Sequence, residues 1–154
     1  MVNRIRLFVA ALVFSAVLPL CAAAQDKGYW RASNQTAESI TGDIFIADGK
    51  LTINFVAFPL AQIRQLTSPE ISALFDADST SAAGANLYRL NIPASRRFLH
   101  KNTLCGSEDT QWMVTYVENR NLHVALFSGP NMPVLTFDAI SKSTDVCGTF
   151  NYTR

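Results

Sequence analysis

His100 and His123 are the only histidines of this 154-residue chain, and histidine is the side chain best suited to general-base work near neutral pH. Neither has a nucleophile at a recognisable spacing. Ser128 lies between Phe127 and Gly129 without the second glycine of a Gly-x-Ser-x-Gly elbow, Pro130 standing in its place, and no serine has a lysine three places on. Glycan cleavage needs two carboxylates, and the closest candidates are Glu108-Asp109 and Glu118. Adjacent acids on a strand point to opposite faces, so Glu108 and Asp109 make a poor pair. The acidic stretch Asp76 to Asp78 lacks the glycine and glutamate of a calcium loop. His123 shares a strand face with Ala125 and Phe127, the setting of a packed histidine. The sequence therefore predicts no catalytic residue, metal ligand or cofactor, and a hydrolase would need a site assembled only in three dimensions.

The cysteines carry a different chemistry. Arg4 and Arg6 precede an apolar run from Leu7 to Leu20, and Ala22-Ala23-Ala24 supplies the small residues of a cleavage site. Residues 1–24 read as a removable secretory signal, with Gln25 opening a single mature domain of residues 25–154. The run is shorter than the roughly 20 residues needed to cross a bilayer. The expected location is periplasmic or secreted, with no integral membrane segment after cleavage. Lipidation of Cys21 is the rival, but Leu20 stands where a small residue belongs. Cleavage removes Cys21 and leaves Cys105 and Cys147, an even pair in an oxidising compartment, which predicts one disulfide.

Charge excludes one class of partner. The chain carries a formal net charge of +1, and Arg96-Arg97 with Lys101 is its only basic cluster after the leader. Nucleic acid needs a broader stripe of cations. A protein or another envelope component is the expected partner. The candidate contact is the loop Ser128-Gly129-Pro130-Asn131-Met132-Pro133, with Ser128, Gly129, Asn131 and Met132 as binding residues. Its prolines pre-stiffen it, which lowers the entropy lost on binding. Tyr116, Arg120 and Tyr152 are expected around it; failing this loop, the end nearest Arg64 and Arg97 is the alternative.

The elements that must position these residues are mostly strands. Gln25 to Glu38 is a lead-in or a short strand pinned by Trp30. Ser39 to Ala47 and Leu51 to Phe55 flank Asp48-Gly49, a strong hairpin signal. Pro59 implies a bend or edge, and Leu60 to Leu66 fits a strand or a helical turn. Ser68-Pro69-Glu70 opens a helix over Glu70 to Phe75, capped by Ser68. Asn86 to Ile92 returns to strand, and residues 94–110 form an excursion tied down by Cys105. Gln111 to Glu118 and Leu122 to Phe127 make the best hairpin, apolar on both faces. Further strands are expected at Val134 to Phe137 and Val146 to Tyr152. The pattern predicts a mainly β fold, a small antiparallel β-barrel or sandwich with one short helix.

The size, leader and cysteine pair resemble those of small periplasmic lysozyme inhibitors, which are antiparallel β-barrels. The likeness is architectural. That family's Ser-Gly-x-x-Tyr loop is replaced here, where Ser128-Gly129 runs into Pro130-Asn131-Met132. The functional expectation is a non-enzymatic binding or accessory module of the bacterial envelope.

Overall fold

Period-two alternation bends this chain into a closed ring of strands. The computed structural model describes residues 25–78 and 84–154; the expected signal segment lies outside them. Eight strands follow in order: β1 (Gly28–Ala32), β2 (Ile44–Ala47), β3 (Lys50–Ile53), β4 (Val56–Gln65), β5 (Ala85–Ile92), β6 (Thr110–Glu118), β7 (Asn121–Phe127) and β8 (Val146–Thr153). Each pairs antiparallel with the next, and β8 returns to β1 through Arg31↔Thr153 and Ala32↔Tyr152. The fold is therefore a barrel rather than a sandwich. Closure leaves no sheet edge among the described strands to attract another chain.

Three short helices decorate it: α1 (Gln35–Ile40), α2 (Ser68–Phe75) and α3 (Phe137–Lys142). Two correct the sequence expectation of a single helix. Ser39-Ile40 ends α1 instead of opening a strand, because Asn34 Oδ1 accepts the Ala37 N–H at 3.0 Å and caps a helical turn. Val134 to Phe137 is not a strand either. β7 is already paired with β6 on one side and β8 on the other, so no edge remains for it. Thr136 instead caps α3, accepting from Ala139 N–H at 3.3 Å. The cap of α2 is Thr67, one residue ahead of Ser68. Pro59 does not end β4, which runs on through it. It faces Lys50 at the last β3 pair, where β4 passes over to β5 at Leu60↔Leu90.

Both faces of the β5–β7 region are buried, which explains the two-sided pattern. Inward, Trp30, Ile46, Leu51, Tyr88, Met113, Leu122, Phe150 and Tyr152 fill the barrel. Outward, Leu87, Trp112, Val114, Tyr116 and Phe127 join Ile71 of α2 and Leu135, with Ile140 of α3 packed against them. His123 also faces outward here, in contact with the Phe75 and Tyr116 rings at 5.8 Å each.

At one barrel end the buried Asp26 inserts its carboxylate, and Arg154 reaches the carbonyls of Gln25 and Lys27. At the other, α1 and the excursion after β5 close over the interior, with Phe98 and Leu104 buried beneath. The Cys105 and Cys147 sulfurs stand at bonding distance and tie that excursion to the start of β8.

Arg64 clamps α2 to β4, its guanidinium donating to both Glu70 oxygens at 2.7 and 2.9 Å. That contact, with the Thr67 N–H, holds the Glu70 carboxyl down at about 2 from an ordinary 4.5. A carboxyl lowered in the folded state stabilises above its unfolded pKa and loses that contribution as pH falls through its folded one. The thermal midpoint should therefore decline between pH 4.5 and about 2. Glu70→Gln should be less stable at neutral pH and show a flatter acid limb by calorimetry. An unchanged acid limb would show that the clamp contributes nothing.

Candidate functional site

The loop after β7 divides into a structural half and a displayed half. Ser128 is buried, and its N–H donates to the Asp145 carbonyl at 2.9 Å. Gly129 has φ of 83°, and a Cβ there would stand 3.2 Å from Asp145 Oδ2. These two residues shape the turn. Asn131 and Met132 are exposed and, with Val134 and Ile140, line a cleft of about 230 Å³.

The residues expected around this loop lie elsewhere. Register puts the loop beside Trp112↔Phe127, and the hairpin tip carrying Arg120 at the opposite end of the same strands. Arg120 Nε donates to the Arg154 carbonyl. Tyr152 points into the barrel and bonds the Thr41 hydroxyl at 2.8 Å; burial pushes its own ionisation well above the ordinary range. Tyr116 is committed to Phe75 and His123. Arg64 and Arg97 do not share an end. Arg64 lies where β4 meets the start of β5, whereas Arg97 follows the end of β5 and donates to the Ala94 carbonyl.

The histidines are engaged structurally. His100 Nδ1 contacts the Ser39 carbonyl at 3.1 Å, and His123 Nδ1 contacts Asn151 Oδ1 at 3.0 Å. Asp109 accepts the Ala94 N–H, at the opposite end of β6 from Glu118.

The most conspicuous surface was not legible as a site in the sequence. On the outer faces of β1, β2 and β3, Tyr29, Phe45 and Thr52 form one row across the register. Beside them, Asn54 and Phe55 form the two-residue link from β3 to β4, with Ile53↔Val56 closing it. Both have positive φ, 48° and 64°. That is the type I′ requirement, which normally selects Asn-Gly. Phenylalanine has no local hydrogen bond to offset the left-handed conformation, which costs about 1–2 kcal/mol. Its ring is 99 % exposed.

Phe55, Asn54, Phe45, Tyr29, Asp43 and Leu99 surround a cleft of about 390 Å³. Leu99 arrives from the excursion, held there while His100 and Asn102 contact the Ser39 carbonyl. Gly42, with φ of 61°, admits it closely, since a Cβ there would meet Leu99 Cδ1 at 3.2 Å. Asp43 accepts the Tyr29 hydroxyl on Oδ2 and the Ala32 N–H on Oδ1 at 2.9 Å. Those bonds lower the Asp43 pKa, and the same contact raises that of Tyr29. Asp43 is thus a fixed carboxylate and the one charged residue among those lining the cleft.

Fold and surface together define an up-and-down eight-stranded barrel with a side-chain-filled interior and an aromatic cleft on its outer wall. No protein-family model, curated protein or solved structure matches the chain.

Proposed function

We propose that this chain is an exported, non-enzymatic binding module of the bacterial envelope that recognises a partner through the Tyr29–Phe45–Phe55 cleft. Eight-stranded barrels either hold a small ligand or fill their interior with side chains. Here Trp30, Tyr88, Phe150 and Tyr152 occupy the inside, which favours recognition on the outer wall. The paired cysteines fit an oxidising compartment, and among the described residues no helix is long and apolar enough to cross a membrane. A hydrolase gains no support from histidines spent on a carbonyl and an amide.

One observation carries the reading: Phe55 is held in a left-handed conformation with its ring in water. Neither property helps the free fold, and strained backbone concentrates at functional positions. Exposed aromatic anchors are the residues that dominate interfaces. Phe55→Gly should therefore raise stability by about 1 kcal/mol, as relief of strain outweighs the added entropy of glycine. The same variant should lose the envelope proteins captured by the wild-type exported protein. Capture that survives Phe55→Gly unchanged rules the cleft out.

Exposure of Met132, Val134 and Phe137 at 50, 66 and 77 % favours a second surface, the Asn131–Met132 loop. Asn131→Ala with Met132→Ala, run in the same capture experiment, separates the two. Loss there alone would move the site to the loop.

A further inference from the structure

We infer that the aromatic cleft receives a cationic side chain, an arginine above all, presented by a protein partner whose own apolar pocket covers Phe55. This rests on the cleft being the recognition surface and goes on to name what enters it.

Charge complementarity is the first argument. Asp43 is the only charged group lining the cleft, whose large walls are Tyr29, Phe45, Phe55 and Leu99, with the uncharged polar Thr41, Thr52 and Asn54 among the rest. Each carboxylate oxygen offers about two acceptor positions. The Tyr29 hydroxyl uses one on Oδ2 and the Ala32 N–H one on Oδ1, so one remains on each. Two adjacent free acceptors match the fork of a guanidinium, which binds carboxylates through two parallel bonds. The existing bonds also fix the carboxylate before a ligand arrives, so little order is lost on binding.

The walls suit the rest of an arginine. Its methylene stem is apolar and packs on surfaces such as Phe45 and Leu99, while the Tyr29 face attracts the cation. Arg31, exposed on the same face of β1, makes no salt bridge with Asp43 among the described residues and acts on it only at a distance, helping to lower its pKa, so the carboxylate's remaining acceptor positions stay open to a guanidinium. Phe55 decides the size of the partner. A small cation leaves a wholly exposed ring in water, whereas a protein surface with a pocket beside its arginine covers both.

The test titrates the isotope-labelled exported protein with acetyl-Leu-Arg-Leu-amide and follows backbone amide shifts. Matching peptides carry lysine, glutamate or the neutral isostere citrulline in place of arginine. Expected are saturable shifts at Asp43, Phe45 and Leu99, with the citrulline peptide about tenfold weaker. The glutamate peptide should be weaker still, and lysine should fall between arginine and citrulline. Asp43→Asn should erase the difference between arginine and citrulline. Arg31→Ala, outside the cleft lining, should enlarge it by removing a repelling charge.

Equal affinity for arginine and citrulline on the wild-type protein, or arginine-dependent shifts confined to residues outside the cleft, would overturn the inference whether or not Asp43→Asn folds. The underlying reading fails separately. If Phe55→Gly abolishes partner capture while the peptides show no preference for a cation, the surface stands and the cationic occupant falls. If capture is indifferent to Phe55→Gly, the surface itself falls.

Discussion

Cys147→Ala should lower unfolding free energy by about 4 kcal/mol and the thermal midpoint by roughly 10–15 °C. The bridge closes a loop of sequence separation 42, and most of its benefit is entropy removed from the unfolded chain. It also has a local target. Cys105 belongs to the excursion that carries Leu99 to the cleft, so losing the bond loosens one wall of the proposed binding surface. Calorimetry of wild type and variant, with and without reductant, measures the stability part. Reductant should lower the wild-type midpoint and leave the variant unmoved. A loss below about 1 kcal/mol would mean that burial of Phe98 and Leu104 alone fixes the excursion.

Asp26→Ala should cost about 3–5 kcal/mol, although the residue lies in the lead-in before the first strand. Asp26 Oδ2 accepts from Asn86 Nδ2 at 3.1 Å, the Tyr88 hydroxyl at 2.8 Å and the Thr115 hydroxyl at 2.6 Å. Burial first, and then the Asp26 charge, raise the Tyr88 ionisation far above its ordinary range, so the phenol stays a donor. Alanine would strand three buried donors, each costing about 1–3 kcal/mol when unpaired. An asparagine in its place keeps an accepting oxygen, so Asp26→Asn should cost less than half as much. Urea unfolding at constant slope decides it. A cost for alanine under about 1 kcal/mol would mean that water replaces the carboxylate at that end. On the proposed export route, a cut after Ala24 would spare this network and a cut two residues later would delete its acceptor.

Much of the barrel was legible because its signals are local. Asp48-Gly49, the Gln111 to Phe127 hairpin and the cysteine pair all appear as expected, and Trp30 does pin β1. The two unforeseen helices rest on single caps, Asn34 and Thr136, whose neighbours Ile40 and Val134 read equally well as strand. Only the register of β7, paired on both sides, excludes a strand at 134–137. The cleft was illegible for another reason. Leu51 to Phe55 alternates as a strand should, and although Asn54 suits a turn, Phe55 stands where glycine normally completes it. Tyr29, Asp43 and Leu99 come from three separate segments, joined by strand register and a crossing loop. Of the loop residues expected to bind, Asn131 and Met132 are displayed and remain a second surface, whereas Ser128 and Gly129 hold the turn.

The seam between β1 and β8 sets the order in which this molecule can become itself. Arg31↔Thr153 and Ala32↔Tyr152 join the two strands, the Ser33 N–H continues the seam to the Asn151 carbonyl, and Arg154 straps across to Gln25 and Lys27. The ring thus closes only when β8 meets β1, the paired strands furthest apart in sequence. On the proposed route out of the cytoplasm, a molecule still being threaded through a channel has no way to complete that circle. On that proposed route the barrel would stay open until β8 has followed β1 across, and Arg154 would then strap the seam at Gln25 and Lys27.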